Sequence, residues 1–438
     1  MSKHILIIVQ NLPVPLDRRV WLECQALVAA GYRVSVICPK GPGDPSRQLI
    51  DGVAIYKYAP APEARGLAGF AIEFAYSWLR TAILSIPVAR SGRPDVIQAC
   101  NPPDTFWLLA RFWRLAGVRF VFDQHDLNPE LFLSRFGEPK GRLKRAEYAG
   151  LLWLERMTYR TASRVISTNE SYRNIAITRG KKKPEDVTVV RSGPDTRQMR
   201  PIYPAGPRLD GQIELVYLGI MGPQDGVDTV LKVVDELIHH RGRQDVHATL
   251  MGFGDSYEEL RALATALGLD DFVTFTGRVD RRQIAELLSR ADIGLCPDLK
   301  TPLNDVSTMN KTMEYMAYAL PSVSFDLVET RVSGGETVRF VPSGDIGAFT
   351  DAVEELIDQP ELRLAMALRA RERVAESLDW RPQARAYVGV FDGLTGTRRE
   401  ASTMDADSGT DEADEWGNEY VPLNEGRELA RFVIERRA

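Results

Sequence analysis

Cysteine is scarce in this sequence, and the scarcity excludes two classes of protein. Its four cysteines, Cys24, Cys38, Cys100 and Cys296, stand far apart in apolar surroundings without a Cys-x-x-Cys pair. That argues against a zinc ribbon and a disulfide scaffold, and they read as reduced core residues. An excess of positive charge is also missing. With 55 Lys and Arg against 60 Asp and Glu, the net charge is -5, so nothing global points to nucleic acid and any basic partner surface has to be local. The opening MSKHILIIVQNLP has one lysine and a short apolar run with no small-residue cleavage site, so it reads as a first strand rather than a secretory leader. The longest apolar stretch, Leu67 to Ala89, is broken by Glu73, Ser77, Arg80, Ser85 and Pro87. A charge near mid-bilayer costs kilocalories, so this stretch is not expected to span a membrane. A cytoplasmic protein is the expectation.

What is present is an ordinary globular composition, 438 residues with 44% hydrophobic, long enough for two domains. His4 to Val9 is a continuous apolar run suited to a buried strand, followed by an amphipathic helix through Trp21, Leu22, Ala26, Leu27 and Ala30 and a strand over Arg33 to Cys38. This β-α-β opening begins a doubly wound sheet. Its first loop, Gln10 to Arg19, has no G-x-G-x-x-G, so a dinucleotide pyrophosphate is not expected there. The loop offers Asp17, Arg18 and Arg19 instead, either to a ligand or as a solvated helix start. Further strands are predicted at Val96–Cys100, Phe120–Asp123, Arg164–Thr168 and Val187–Val190. His125, directly after one of them in Asp123-Gln124-His125-Asp126, is a candidate site residue or a structural strand cap. After a proline-rich linker at Pro201–Pro207 the alternation restarts with strands at Glu214–Leu218, His247–Met251, Val273–Thr276, Ile293–Cys296 and Pro321–Phe325.

The densest chemistry lies between Asn304 and Asp345. Ser307 and Thr308 sit where a helix N-cap belongs, and Met309, Met313, Met316 and Ala317 recur at helical spacing, which predicts a helix over Met309–Tyr318 ended by Pro321. Lys311 and Glu314, three apart, share a face near its amide-rich start, where phosphate and sugar hydroxyls would find a cation and a carboxylate. The loop from Asp326 to Gly335 carries Glu329 and Arg331 at the carboxyl end of a strand, where open α/β sheets bind ligands.

This segment resembles the GT-B glycosyltransferases, in particular family 4 of the retaining enzymes. Glu314, followed by Met316, Ala317 and Ala319-Leu320-Pro321, matches the family's second glutamate, which holds the ribose of a nucleotide-sugar. The first glutamate falls on Val306, with Asp305 or Asn304 as its replacement. The resemblance implies an α/β fold of two doubly wound Rossmann-like domains facing a cleft. They would be an acceptor-side domain over 1–197 and a nucleotide-sugar domain over 208–378. A crossing helix over 379–397 would return to the first domain, and 398–438 would be an acidic flexible tail with a short terminal helix around Leu429, Phe432 and Val433. Arg191-Ser192-Gly193-Pro194-Asp195 resembles the family's element at the crossing. Gly219 and Gly222 in GIMGPQDGVD, and Gly252 in the next glycine turn, fall at the family's donor loops. Ile220 and Asp225 stand where the family places the arginine and lysine of the pyrophosphate site, so Lys311, with Arg278 and Arg331 behind it, is expected to supply the cations.

His125 and Asp126 are implied to contact the transferred sugar, and Asp17, Arg18 and Arg19 the acceptor. The expected donor-side set is Glu314, Asp305, Ser307, Thr308, Gly219, Gly222, Gly252, Arg278, Glu329 and Arg331. The resemblance implies front-face transfer without a carboxylate nucleophile, a metal or a cofactor, the nucleotide-sugar being a substrate. A glycan or lipid-linked acceptor follows, with a sugar-nucleotide 2-epimerase and a non-catalytic nucleotide-sugar-binding protein as rivals. Asp405-Ala406-Asp407 reads as a coincidental D-x-D. Between Glu138 and Arg164, Lys140, Arg142, Lys144, Arg145, Arg156, Arg160 and Arg164 outnumber Glu138, Glu147 and Glu155 and stand beside apolar Tyr148, Leu151, Leu152, Trp153, Leu154 and Met157, which reads either as a face for an anionic membrane or as an ordinary helix with a solvated charged side.

Overall fold

The computed structural model describes residues 2–61, 66–203, 211–398, 413–423 and 426–435. It divides into two compact units, Met1–Ser192 with Arg381–Asp407, and Gly193–Trp380 with Ser408–Ala438.

The first unit is built on eight strands: β1 (His4–Ile8), β2 (Arg33–Pro39), β3 (Arg47–Ile50), β4 (Val53–Tyr58), β5 (Val96–Cys100), β6 (Arg119–Gln124), β7 (Arg164–Ser167) and β8 (Val187–Val189). Their order in the sheet is β3-β4-β2-β1-β5-β6-β7-β8, parallel except for the β3–β4 hairpin. Helices on both faces explain why β1 and β5 are buried along their whole length and apolar apart from His4 and Gln98. The sequence reading missed the hairpin, which turns at Asp51-Gly52, both with positive φ (47° and 80°). The strand order reverses between β1 and β5, so the loops after these two strands diverge and open a crevice at the carboxyl edge. The helix Trp380–Thr395 returns to this unit, as the resemblance implied. Tyr387 there donates to Gln98 Oε1 at 2.6 Å, and Asp392 accepts from the Tyr32 hydroxyl at 2.6 Å.

The second unit contains a two-stranded pair, β9 (Ile202–Tyr203) with β16 (Glu419–Tyr420), and a sheet of β10 (Ile213–Ile220), β11 (Val246–Phe253), β12 (Val273–Gly277), β13 (Ile293–Cys296), β14 (Ser322–Phe325) and β15 (Val338–Val341). The sheet is wholly parallel in the order β12-β11-β10-β13-β14-β15, with its reversal between β10 and β13. Its core joins Leu215, Tyr217, Leu250, Leu295 and Val323 of the strands to Val230, Val234, Phe349 and Val353 of the flanking helices.

Two expectations need correction. Residues Asp326–Gly335 are not a continuous loop, because Val328–Gly334 forms a helix that buries Glu329, Thr330 and Ser333. Nor is the C-terminal region a flexible tail throughout. Glu419-Tyr420 pairs with β9, which was not expected, and the helix Gly426–Glu435, where a short terminal helix was expected, packs Leu429, Phe432 and Val433 against Ala319, Ala367 and Val421. Those apolar side chains outweigh the acidic composition read for 398–438. The linker residues 204–207 and the Asp405-Ala406-Asp407 run lie outside the described residues.

Candidate active site

In the second unit the carboxyl ends of β10 and β11 are held backbone to backbone by glycines. A Cβ on Gly252 would stand 1.9 Å from the Gly219 carbonyl oxygen, and one on Gly254 would stand 2.5 Å from that of Met221. Any side chain there would force the two loops apart, so the glycines reflect close approach rather than a dinucleotide fingerprint. Gly222 donates its N–H to Asp225 Oδ2 at 2.9 Å, so the residue standing where a lysine is expected closes its own loop.

At the β10–β13 reversal Lys311 lies against Gly219, its Cε 3.2 Å from where a Gly219 Cβ would sit. Its Nζ pairs with Asp298 Oδ1 at 2.5 Å and stands 5.1 Å from the centre of the Tyr217 ring. Both charged side chains are nearly inaccessible, with 10% and 2% exposure. Burial works to lower the lysine's pKa, but Asp298 outweighs it and holds the ammonium charged well above its usual range. Asp298 Oδ2 is buried without a protein hydrogen-bond partner.

The helix itself runs Asn310–Ala317, and its N-cap is Met309, whose side chain makes no capping hydrogen bond. Ser307 and Thr308 are therefore not its caps; Ser307 Oγ donates to the Leu303 carbonyl at 2.8 Å. Glu314 is buried on this helix, one turn after Lys311. Asp305 accepts from the Val328 N–H at 3.0 Å and pairs with Lys300 at 3.3 Å, so it staples the loop to the following helix. Glu329 is buried in that helix. Arg331 is tied to Asp326 and lies over the Phe340 ring. Arg278 stacks on the Phe253 ring at 4.0 Å, and no carboxylate is recorded within ion-pair distance of it among the described residues. Of the three expected cations, Arg278 is thus the one not neutralised by an internal carboxylate.

In the first unit the loops after β1, β5 and β6 converge on a buried charged cluster. Asp123, at the end of β6, accepts from Gln98 Nε2 (2.8 Å) and Arg19 Nη2 (3.1 Å) and lies 2.8 Å from His125 Nε2. Arg19 Nε lies 3.0 Å from Glu23 Oε1 and 3.1 Å from His125 Nε2, while Nη1 donates to the Val190 carbonyl and Ser192 Oγ. The Arg19 Nε–H points at His125 Nε2, and Glu23 Oε1, although 3.0 Å from that nitrogen of Arg19, accepts no hydrogen bond. His125 Nε2 cannot accept from Arg19 and donate to Asp123 at once, so the ring tautomer decides which of the two bonds forms.

Burial would raise Asp123, but His125 and Arg19 outweigh it and keep it ionised well below the carboxylate range. Burial would lower His125, and Asp123 reverses this and raises it. Glu23 is pushed up to about 8, by burial first and then by the charge on Asp123. Asn101 Oδ1 accepts from the backbone N–H of both His125 and Asp126, and its Nδ2 donates to the Asp126 carbonyl, which fixes the loop that carries them. Burial raises the pKa of Asp126.

Glu23, Cys100, Asp123 and His125 place ligand-type atoms within 4.8 Å of one another. Arg19 touches three of the four and supplies the positive charge that a metal would bring. Arg19 is thereby corrected from an acceptor-facing cation to an internal counter-ion. Asp17 takes the plainer role, its Oδ1 capping the following helix at Val20 N. Glu23 and Gln98 were missed in the sequence; the spacing of Arg19 and Glu23, four apart on one helix, was the available signal.

Comparison with known proteins decides the family. A model of the glycosyl transferase 4-like domain matches residues 16–193, and a model of glycosyl transferases group 1 matches residues 212–359. The chain belongs to the family 4-type, group 1 glycosyltransferases. Among curated relatives, glycogen synthase of Mycobacterium tuberculosis is 26% identical over 399 residues, covering 86% of this chain and 90% of that protein.

Solved structures place this glycosyltransferase among GT-B folds. Sucrose-phosphate synthase of Thermosynechococcus elongatus superimposes with a TM-score of 0.74 at 17% identity, covering 91% of this chain and 100% of that one. Anabaena HepE in complex with UDP-glucose gives 0.65 at 14%, covering 90% and 99%. Among the described residues no helix is long and apolar enough to cross a membrane.

Proposed function

We propose that this glycosyltransferase is retaining and metal-independent. It would move a sugar from a nucleotide-sugar to a glycan or lipid-linked acceptor, in the synthesis of cell-surface polysaccharide or glycoconjugate on the cytosolic side of a membrane. The observation that carries the reading is Glu314, buried one turn from Lys311 beside the strand reversal of the second unit. There a carboxylate and a cation meet the needs of a ribose diol and a diphosphate.

In this reading Glu314 accepts from the ribose hydroxyls. Arg278 contacts the diphosphate directly, and Lys311 sets a positive field behind Gly219, reduced by Asp298. His125, held by Asp123, and Asp126, held by Asn101, orient hydroxyls of the transferred sugar. The acceptor oxygen bonds to the anomeric carbon on the face from which the diphosphate departs. The leaving oxygen takes the acceptor's proton, so no protein carboxylate is consumed and configuration is kept. The protein's contribution is positioning and charge stabilisation. Metal independence is supported by Arg19, a fixed cation inside the cluster that most resembles a metal site. No organic cofactor is invoked.

A panel of nucleotide-sugars tests the donor assignment by thermal shift and by release of nucleoside diphosphate. The cognate donor at 100 times its dissociation constant should add about 2.7 kcal/mol to stability. No stabilisation by any nucleotide-sugar would remove the donor assignment.

A further inference from the structure

The helix Gly66–Arg90 of the first unit packs Trp78, Ala82, Leu84 and Val88 into the core, yet it also buries polar residues and exposes apolar ones. Its polar residues Ser77, Thr81 and Ser85 are buried against the sheet, with exposures of 2%, 0% and 1%. Its solvent side is a stripe of Ile72, Leu79, Ile83 and Ile86, with Ile72 66% exposed. That spacing follows the helical repeat, and the stripe runs roughly 21 Å at 1.5 Å per residue. The next helix, Trp107–Arg114, lies alongside, its Trp113 Nε1 donating to Ser85 Oγ at 3.2 Å, and both helices contribute to the same core. It too exposes apolar residues, Leu108, Phe112 and, just beyond its end, Leu115, which is 90% exposed.

The charges among these side chains have one dominant sign. Exposed Arg111 and Arg114 flank Phe112, Arg90 ends the longer helix, and the Trp107–Arg114 helix has no acidic residue. The helix Gly141–Thr161, which meets this group through the edge-to-face pair Trp107–Trp153, adds exposed Arg145 and Arg156. Its own apolar residues Leu151, Leu152, Leu154 and Met157 are half-buried rather than presented to solvent. Leu143 and Trp153 of that helix are 70% and 54% exposed, so the segment 138–164 adds apolar surface as well as charge beside the helices Gly66–Arg90 and Trp107–Arg114.

We propose that this three-helix face docks on an anionic lipid bilayer. Ile72, Leu79, Ile83, Ile86, Phe112 and Leu115 would enter the headgroup boundary while the arginines pair with lipid phosphates. A continuous apolar stripe in water is unfavourable, and its arginine rim selects a negatively charged, hydrocarbon-backed partner. Binding is interfacial, because the stripe lies along a helix rather than around it. The inference deepens the reading of a lipid-linked acceptor and rests on it for its purpose.

Co-sedimentation of the full chain with phosphatidylcholine vesicles, with and without phosphatidylglycerol, at low and high salt, tests it. Wild type should bind the anionic vesicles at low salt and release at high salt. The Leu79→Asp/Ile83→Asp variant should bind roughly tenfold or more weakly, and Arg111→Glu/Arg114→Glu should weaken binding and flatten the salt response. All these positions are exposed, so unchanged thermal midpoints should accompany the losses. Wild-type binding in both variants, or none by wild type at low salt, overturns the proposal. So does a concentration-dependent self-association that the apolar variant abolishes, since the face would then be a contact between copies of the chain. Nucleoside diphosphate release with a soluble acceptor is measured in parallel. Vesicle binding lost with transfer intact removes only the docking face, and binding intact with no donor turnover removes only the transferase assignment.

Discussion

Replacing Asp298 by Asn separates two roles that Lys311 can play. Lys311 Nζ and Asp298 Oδ1 are 2.5 Å apart, with side-chain exposures of 10% and 2%. Removing one member of so buried a pair strands the other charge, at a cost of about 3–5 kcal/mol. For a unit of roughly 200 residues, each kcal/mol moves the thermal midpoint by about 2–4 °C, so Asp298→Asn should lower it by about 6–20 °C. Lys311→Met should cost a similar amount by stranding Asp298. The double variant Lys311→Met/Asp298→Leu should recover most of the loss, because apolar groups of similar volume often replace a buried pair at little cost. If the charge also serves the diphosphate, the recovered double variant should remain slow in nucleotide release, with turnover falling more than donor affinity. Thermal melts and steady-state kinetics on the same preparations read both. An unchanged midpoint in Asp298→Asn would refute the buried pair. Full turnover in a stable double variant would remove Lys311 from the diphosphate site and leave its charge to Arg278.

Other expectations can be checked one at a time. Glu314→Ala should weaken donor binding by about 1.5–3 kcal/mol, through loss of a charged acceptor for the ribose diol; calorimetric titration showing unchanged affinity would remove the assignment. Asp104 is raised to about 7 by burial, against hydrogen bonds from Asn128 and Asn101. A carboxyl raised in the folded state favours folding most below its unfolded pKa and loses that advantage as pH rises toward its folded value. Wild type should therefore lose stability relative to Asp104→Asn between about pH 4 and 7, by at most roughly 1.4 kcal/mol per pH unit. Parallel pH-dependent melts would contradict this. Transfer should survive a chelator, and loss of activity restored by magnesium or manganese would show that a metal takes part.

The strands were legible where their signal was local. Val96–Cys100 and Ile293–Cys296 were read with the bounds they have in the structure, because short, mostly apolar runs are set off by polar or proline residues. The β3–β4 hairpin was illegible because its register puts Lys57 inside, 3% exposed, where only its pairing with Asp44 at 2.6 Å makes it tolerable. The terminal pairing of Glu419-Tyr420 with β9 joins residues more than 200 positions apart and leaves no periodic trace.

For the site, Glu314 and His125 could be picked out from neighbouring residues and a family resemblance. How their partners combine could not, since the sheet brings Gln98 and Asp123 to the Arg19–Glu23 pair of the first helix. Arg19 was misread for that reason: nothing beside it in the chain shows that β6 brings a carboxylate to 3.1 Å. Asp298 was missed likewise, although it lies two residues past the end of the buried strand β13 and such positions commonly face a ligand or a cation.

The most direct test of the central claim is the anomeric configuration of the product. With the donor identified by nucleotide release and an acceptor in hand, proton NMR of the newly formed linkage reports the anomeric coupling of the transferred sugar at early times. The account predicts the same configuration as in the nucleotide-sugar, whereas an inverted linkage, or free epimerised sugar with no transfer, would contradict it.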